Sequence, residues 1–285
     1  MYTLPKFIIM KKIVILLVIA TALFSCSSDK SSSSTNPNLL QRVDFYPGTT
    51  FETRWKFNAD GLLTTITNAN NETIESFVYD SNKNVIQDTK YSSGSPTENY
   101  LITYDSSNKI TVINGKHYNY SAPENRYTYI AGNESFSCEL NADGIATHYL
   151  DFFDFPGVAD DTQTEFTFHY ESGNLLSMTG FGSTMSDIII NFNYGTISNP
   201  LKNATLSVLK LKSLIEPNFF NIGISSNNVK EAQSYASVNP ETHSFGMLFY
   251  PNNKIEILTQ ENFSSGIFES SITNSHYYYQ GDVIP

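Results

Sequence analysis

Six short segments of this chain share one pattern: an aromatic or apolar residue, a polar turn, and an aliphatic residue that starts the next run. The early copies are Phe57-Asn58-Ala59-Asp60-Gly61-Leu62, Tyr79-Asp80-Ser81-Asn82-Lys83-Asn84-Val85 and Tyr104-Asp105-Ser106-Ser107-Asn108-Lys109-Ile110. Three more begin at Leu140, Tyr170 and Tyr250. The turns are rich in Asn, Asp and Gly, which tolerate positive φ and suit hairpins. The segments between them alternate, as in Arg126-Tyr127-Thr128-Tyr129-Ile130. A period of two puts one face inward and one outward. Hairpins in succession normally pair side by side, and a sheet of many strands must twist and curl. The expected fold class is therefore all-β. It is an antiparallel meander of hairpin repeats forming a long twisted or curled sheet, a partly closed roll. Residues 199–235 break the rhythm and predict a short helix or irregular insertion. There Leu206, Leu209, Leu211, Leu214 and Ile215 line a helix that Pro217 ends. This piece is expected to cover one end of the sheet, with a binding loop or lid as the alternative.

The Tyr-Asp, polar turn, aliphatic order resembles the YD repeats of RHS-type proteins. The whole pattern is similar to Bacteroidetes cell-envelope lipoproteins built from a degenerate YD-like β meander. Asn199-Pro200-Leu201 and Ser225-Ser226-Asn227-Asn228 stand where that group carries its late insertion. The resemblance covers most of residues 42–280. It implies an architecture and no particular chemistry.

The N-terminus carries an address. Lys11 and Lys12 precede an apolar run from Ile13 to Leu23, and Leu23-Phe24-Ser25-Cys26 follows. The run is too short to cross a bilayer, which needs about 20 apolar residues. It has the layout of an export signal, with Met10 as its natural start and Cys26 as the residue that carries lipid. Residues 1–25 read as a lipoprotein signal peptide, 26–40 as a flexible Ser-rich tether, and 41–285 as a single β domain. Asp29, just after Cys26, fits the polar and acidic signals of surface-exposed lipoproteins. The expected location is the outer membrane, lipid-anchored, on the cell surface or otherwise on the periplasmic face. The partners that follow are the membrane, through the lipid, and the lipoprotein sorting machinery. With Cys26 acylated, Cys138 has no partner for a disulfide. It sits in a strand-like run and reads as a small buried hydrophobe.

The chain holds 17 basic and 28 acidic residues, a net charge of −11. Loss of residues 1–25 removes Lys6, Lys11 and Lys12 and no acid, leaving 14 basic against 28 acidic, or −14. Such a surface repels phosphate polyanions, so no nucleic-acid partner is expected. A cationic partner or a neutral polymer is easier to accommodate, and the possible ligand is a glycan or a protein.

No motif of high specificity for catalysis, metal or cofactor appears in the sequence. Catalytic residues, metal ligands and cofactors are all expected to be none. His117, His148, His169, His243 and His276 are scattered, mostly in strand-like runs. The best polar constellation is Asp151, Asp154, Asp160 and Asp161, with His148 before it and Phe152, Phe153 and Phe155 interleaved. These four acids are the candidate ligand-binding residues. They read as a solvated loop with the phenylalanines packed inward. The alternatives are a Ca²⁺ site of hard oxygens or a glycosidase carboxylate pair. Tyr277-Tyr278-Tyr279 and Tyr118-Asn119-Tyr120 read as cross-strand packing, with sugar stacking as the other option. The functional expectation is a non-enzymatic binding, adhesion or structural module held on the envelope by lipid. The alternative is a glycan-processing hydrolase or accessory glycan-binding lipoprotein using the 148–161 segment.

This reading makes a direct prediction. Cys26→Ser moves the protein from the membrane fraction to the soluble fraction on cell fractionation. Continued membrane association of that variant rules out the lipid as the sole anchor.

Overall fold

The computed structural model describes residues 36–154, 162–182, 185–216, 227–234, 241–249, 254–264 and 267–285. The signal segment, Cys26, most of the tether, Asp160, Asp161 and residues 250–253 lie outside the described residues. Nineteen strands and one helix are described, in the order β1 (Leu40–Phe45), β2 (Thr53–Phe57), β3 (Leu63–Asn68), β4 (Thr73–Tyr79), β5 (Val85–Ser92), β6 (Ser95–Tyr104), β7 (Ile110–Ile113), β8 (Lys116–His117), β9 (Asn119–Ser121), β10 (Arg126–Ala131), β11 (Glu134–Leu140), β12 (Ala146–Phe153), β13 (Thr162–Glu171), β14 (Asn174–Gly182), β15 (Met185–Ser198), α1 (Leu201–Ile215), β16 (Asn227–Ser234), β17 (Glu241–Phe249), β18 (Ile255–Ser264) and β19 (Ile267–Tyr279).

Five turns between these strands repeat one hydrogen-bond design. At Asn58 the backbone N–H donates to Leu62 O at 2.9 Å, and Gly61 N–H donates back to Asn58 O at 2.9 Å. The Asn58 side-chain Oδ1 accepts from two more backbone groups, Asp60 N at 3.0 Å and Leu62 N at 2.9 Å. Asn68, Asp80, Asp105 and Asn141 do the same in their own turns. The fourth residue of each turn is left-handed: Gly61 at φ 74°, Asn71 at 62°, Lys83 at 65°, Asn108 at 58° and Gly144 at 80°. The polar pattern seen in the sequence thus has a mechanism. A short acceptor at the first position ties down N–H groups that the hairpin would otherwise leave unpaired.

The pairing is antiparallel throughout, and sequence neighbours lie side by side. β1 pairs with β2 on one side and with β19 on the other, so the two ends of the meander meet. The run is not closed into a barrel, because β8 pairs with β7 and β9 with β10, with no ladder from β8 to β9. The fold is the all-β curled meander expected from the repeats.

Tyrosine hydroxyls bind successive repeats to each other. Tyr104 OH donates to Val85 O at 2.8 Å, and Tyr194 OH donates to Leu175 O at 2.6 Å. Tyr79 OH makes the same bond to Leu63 O. Tyr127 OH instead accepts from Ile110 N at 3.0 Å. In each case an aromatic residue reaches the strand start of an earlier hairpin. A phenyl ring would bury as well but would leave that backbone group unpaired.

The inward residues of nearly all the strands form one core. It holds Leu40, Val43, Trp55, Leu63, Phe77, Tyr127, Phe136, Phe166, Leu258 and Tyr277 along with Leu201, Val208 and Leu211 of α1. The insertion is shorter than expected: the helix ends at Ile215 and strand pairing resumes by Asn227. Its position also differs. α1 does not simply cover an end of the sheet but packs between separated strands. Ser213 Oγ accepts from Ala146 N of β12 at 3.1 Å, and Cys138 Sγ of β11 lies 3.5 Å from Ser213 O. On the β4–β5 side, Lys212 Nζ donates to Glu75 Oε1 at 2.5 Å and to Asp88 Oδ2 at 2.8 Å. Cys138 is the buried hydrophobe foreseen, free and fully enclosed, with its thiol pushed up by burial.

Lys212 is the one lysine in the buried stripe of α1, and it is 1% exposed. Glu75, Asp88 and Glu216 all bond its amine, while the other Asp88 oxygen is buried without a partner. Lys212 faces three carboxylates here, and Lys90 of β5 also pairs with one of them, Glu216. Burial pushes the Glu75 carboxyl above the usual range, against the attraction of Lys212, and Asp88 adds to the rise. A carboxyl raised in the folded state holds protons that the unfolded chain releases. Its contribution is full below the unfolded pKa and fades as pH rises through the folded one.

Two predictions follow from these contacts. Gly61→Val and Gly144→Val each lower the melting temperature, with a loss of about 1 kcal/mol or more. A Cβ at Gly61 meets Leu39 Cδ2 at 3.0 Å, and one at Gly144 meets Lys210 Cε at 3.2 Å. Unchanged melting of both variants refutes this account of the turns. Separately, Lys212→Met strands its carboxylates and costs about 3–5 kcal/mol in urea unfolding at pH 7. The loss shrinks as pH falls towards the ordinary Glu value of 4.5, and Glu75→Gln in the same background recovers part of it. A Lys212→Met loss that is the same at pH 7 and pH 4.5 contradicts the charge argument.

Candidate functional site

A concavity lies at the end of the strands where the repeat turns gather. It encloses about 300 Å³, the lower end of the range for small-molecule sites. Three connections build its wall: 105–109 between β6 and β7, the link from β9 to β10 ending at Asn125, and 141–145 between β11 and β12. The fourth side is α1, through Ser207 and Lys210.

The lining is dominated by carboxamides held in place by backbone. Asn125 sits at φ 47°. Its Nδ2 donates to Leu140 O at 2.7 Å and Asn141 O at 2.9 Å, and its Oδ1 accepts from Tyr120 OH at 2.6 Å. It thereby joins the β9–β10 link to the 141–145 turn. Asn141 uses its Oδ1 on Asp143 N and Ile145 N. Asn84 Nδ2 donates to Asn108 Oδ1 at 3.2 Å, joining two repeat turns across the rim. Tyr104 and Tyr127 form the floor, and their hydroxyls are used on Val85 O and Ile110 N. Burial pushes the Tyr127 hydroxyl up to about 12, even though the bond from Ile110 N favours its ionised form. Both rings therefore act as neutral walls at physiological pH.

Three charged residues line the cleft. Asp143 is paired with Lys202 at 3.0 Å. Lys109 places its amine 4.1 Å from the centre of the Tyr120 ring. The stem of Lys210 lies across Gly144, where a side chain would collide with it.

Asp151 and Asp154, two of the four acids singled out in the sequence, lie elsewhere. Asp151 is a strand residue of β12, paired in register with Phe136 and Thr164. It is half-buried, and burial, then Glu134, raises its carboxyl above the usual range. One of its oxygens is buried without a partner. Asp154 follows the end of the same strand, exposed, with its N–H donating to Asn133 O at 2.9 Å. Asp160 and Asp161 are outside the described residues. Among the described residues no group of three His, Cys, Asp or Glu is placed to hold a metal. Phe153 is 38% exposed rather than packed inward; alternation places it on the same face as Tyr149, but it is the last residue of β12. His148 Nε2 lies 2.7 Å from Glu165 Oε1 on the neighbouring strand. Tyr277 and Tyr279 are buried and unavailable for stacking.

Asn84, Asn108 and Asn141 were visible in the sequence as turn residues, but nothing local marks them as facing one cleft. Lys109, Asn125, Ser207 and Lys210 carry no sequence signal of their own.

No family model matches this chain, and no curated protein matches it. Among solved structures it is similar to a porin-like protein from Bacteroides uniformis ATCC 8492, at 10% identity and a TM-score of 0.36, covering 85% of this chain and 96% of that one. A porin-like protein from Bacteroides vulgatus ATCC 8482 is similar at 7% identity and a TM-score of 0.38, covering 85% of this chain and 99% of that one.

Proposed function

We propose that this chain is an envelope protein anchored by lipid at Cys26, whose β domain binds a small hydroxyl-rich ligand, such as the end of a glycan, without transforming it. The observation that carries the reading is the carboxamide lining of the repeat-end cleft. A carboxamide carries both donors and an acceptor. Asn125 spends its donors on backbone, and the groups left for sugar hydroxyls are the Nδ2 amides of Asn108 and Asn141 and the Oδ1 of Asn84, which make no hydrogen bond among the described residues. Asn125 and Asn141 are already fixed by backbone bonds, so little ordering entropy opposes binding. The outward faces support the address. Strands such as β2 and β13 turn Arg54, Lys56, Thr167 and His169 away from the core. A β-barrel lodged in lipid needs an apolar outer band instead. Attachment to the membrane through the lipid then leaves the domain in water with its cleft accessible.

Ala142 lines the cleft, and Ala59 holds the same turn position in the first repeat, away from it. Ala142→Trp fills the cleft and abolishes binding on a glycan array and in calorimetry with the sugars found there. Ala59→Trp binds as the unaltered protein does. Equal binding by both variants overturns this cleft as the site.

A further inference from the structure

The cleft carries a charge opposite to that of the rest of the chain. Among the described residues its one carboxylate, Asp143, is neutralised by Lys202 at 3.0 Å. The amines of Lys109 and Lys210 make no hydrogen bond and no ion pair among the described residues, although the chain has 28 acids against 17 bases. Both line one small cavity.

The Lys109 amine is held in place, while Lys210 is exposed with only its stem against the turn. Lys109 rests on the Tyr120 ring, 4.1 Å from its centre, an attraction that leaves its three N–H donors free. Tyr120 is fixed in turn by its hydroxyl bond to Asn125 Oδ1 at 2.6 Å. Lys210 lies over Gly144, whose missing side chain gives the stem its path. The acids of the flanking turns turn their oxygens elsewhere: Asp105 Oδ1 accepts from Ser107 N and Lys109 N, and Asp80 from Asn82, Asn84 and the Asn84 side chain.

We infer that Lys109 and Lys210 form an anion subsite, and that the cleft selects a saccharide unit bearing a negative group over its neutral counterpart. This rests on the binding reading above. The carboxamides meet the hydroxyls, and the two ammonium groups meet the acid. Lysine presents a hydrated point charge and not a bidentate fork. Carboxylate and sulfate ester are thus both served, and the acid's source is a matter for the test. The long-range field of the domain repels anions, so discrimination arises within the cleft, at short range.

The test is calorimetric titration of the full chain with galactose, galacturonate and galactose 6-sulfate. The acidic sugars bind at least about tenfold more tightly than galactose at low salt, and the preference narrows at about 1 M salt, where screening reaches about 3 Å. The double variant Lys109→Gln, Lys210→Gln reduces the ratio of acidic to neutral affinity to about one. Lys56→Gln, a charge loss on the outward face of β2, leaves the ratio unchanged. Which acidic sugar binds more tightly identifies the source of the charge. Equal binding of galactose and both acidic sugars, or an unchanged ratio in the double variant, overturns the anion subsite and leaves the sugar-binding reading intact. No binding of any of the three overturns both.

Discussion

The architecture depends on a single local bond pattern: a side-chain oxygen at the first position of a turn accepting two backbone N–H groups. Asn58, Asn68, Asp80, Asp105 and Asn141 all make it. Each instance closes a hairpin in one register, and register decides which face of the next strand turns inward. Four of the five fall at the same end of the strands, because each strand reverses the chain. The gathering of turns at that end is what creates a wall of short polar side chains there, and so the cleft.

Tyrosine supplies the second level of order. A meander in which each strand touches only its neighbours is prone to slip. The hydroxyls of Tyr79, Tyr104 and Tyr194 bond backbone at the strand starts of earlier hairpins, which ties inward packing to a specific register. Tyr170 shows where the scheme yields to the helix. Its hydroxyl is buried without a partner, and its ring packs with Ile145 and Leu209 of α1. The inserted helix brings apolar volume to the core together with one buried cation. That cation, Lys212, joins β4, β5 and α1 through three carboxylates. A buried arrangement of this kind adds less to stability than an apolar replacement would, yet it tolerates the loss of neither sign of charge. Its effect is to hold α1 in one rotational setting, which also fixes where Ser207 and Lys210 face.

Hairpin succession, strand alternation and the buried nature of Cys138 were legible in the sequence because each is set within a few residues. The cleft was legible only in part. Asn108 and Asn141 belong to recognisable turns, but their convergence with Asn125 depends on the curl of the sheet. The acidic stretch misled for a related reason. Asp151, Phe152 and Phe153 look like a loop when read by composition, yet β12 continues through them because β11 and β13 supply partners on both sides.

By itself, the sequence determined an acidic chain and a meander of hairpins with tyrosine-rich inward faces. These follow from hydrogen bonds and side-chain alternation that span five residues or fewer. Only the tertiary structure decided where the helix goes and what it meets. Lys212 bonds Glu75 across 137 positions and Asp88 across 124, separations at which no local pattern carries information. The same holds for Lys109 and Lys210, which are ordinary surface lysines in the sequence. They become a pair of cations without an ion pair among the described residues, lining one cleft, only when the curl of the sheet and the insertion of α1 bring them together.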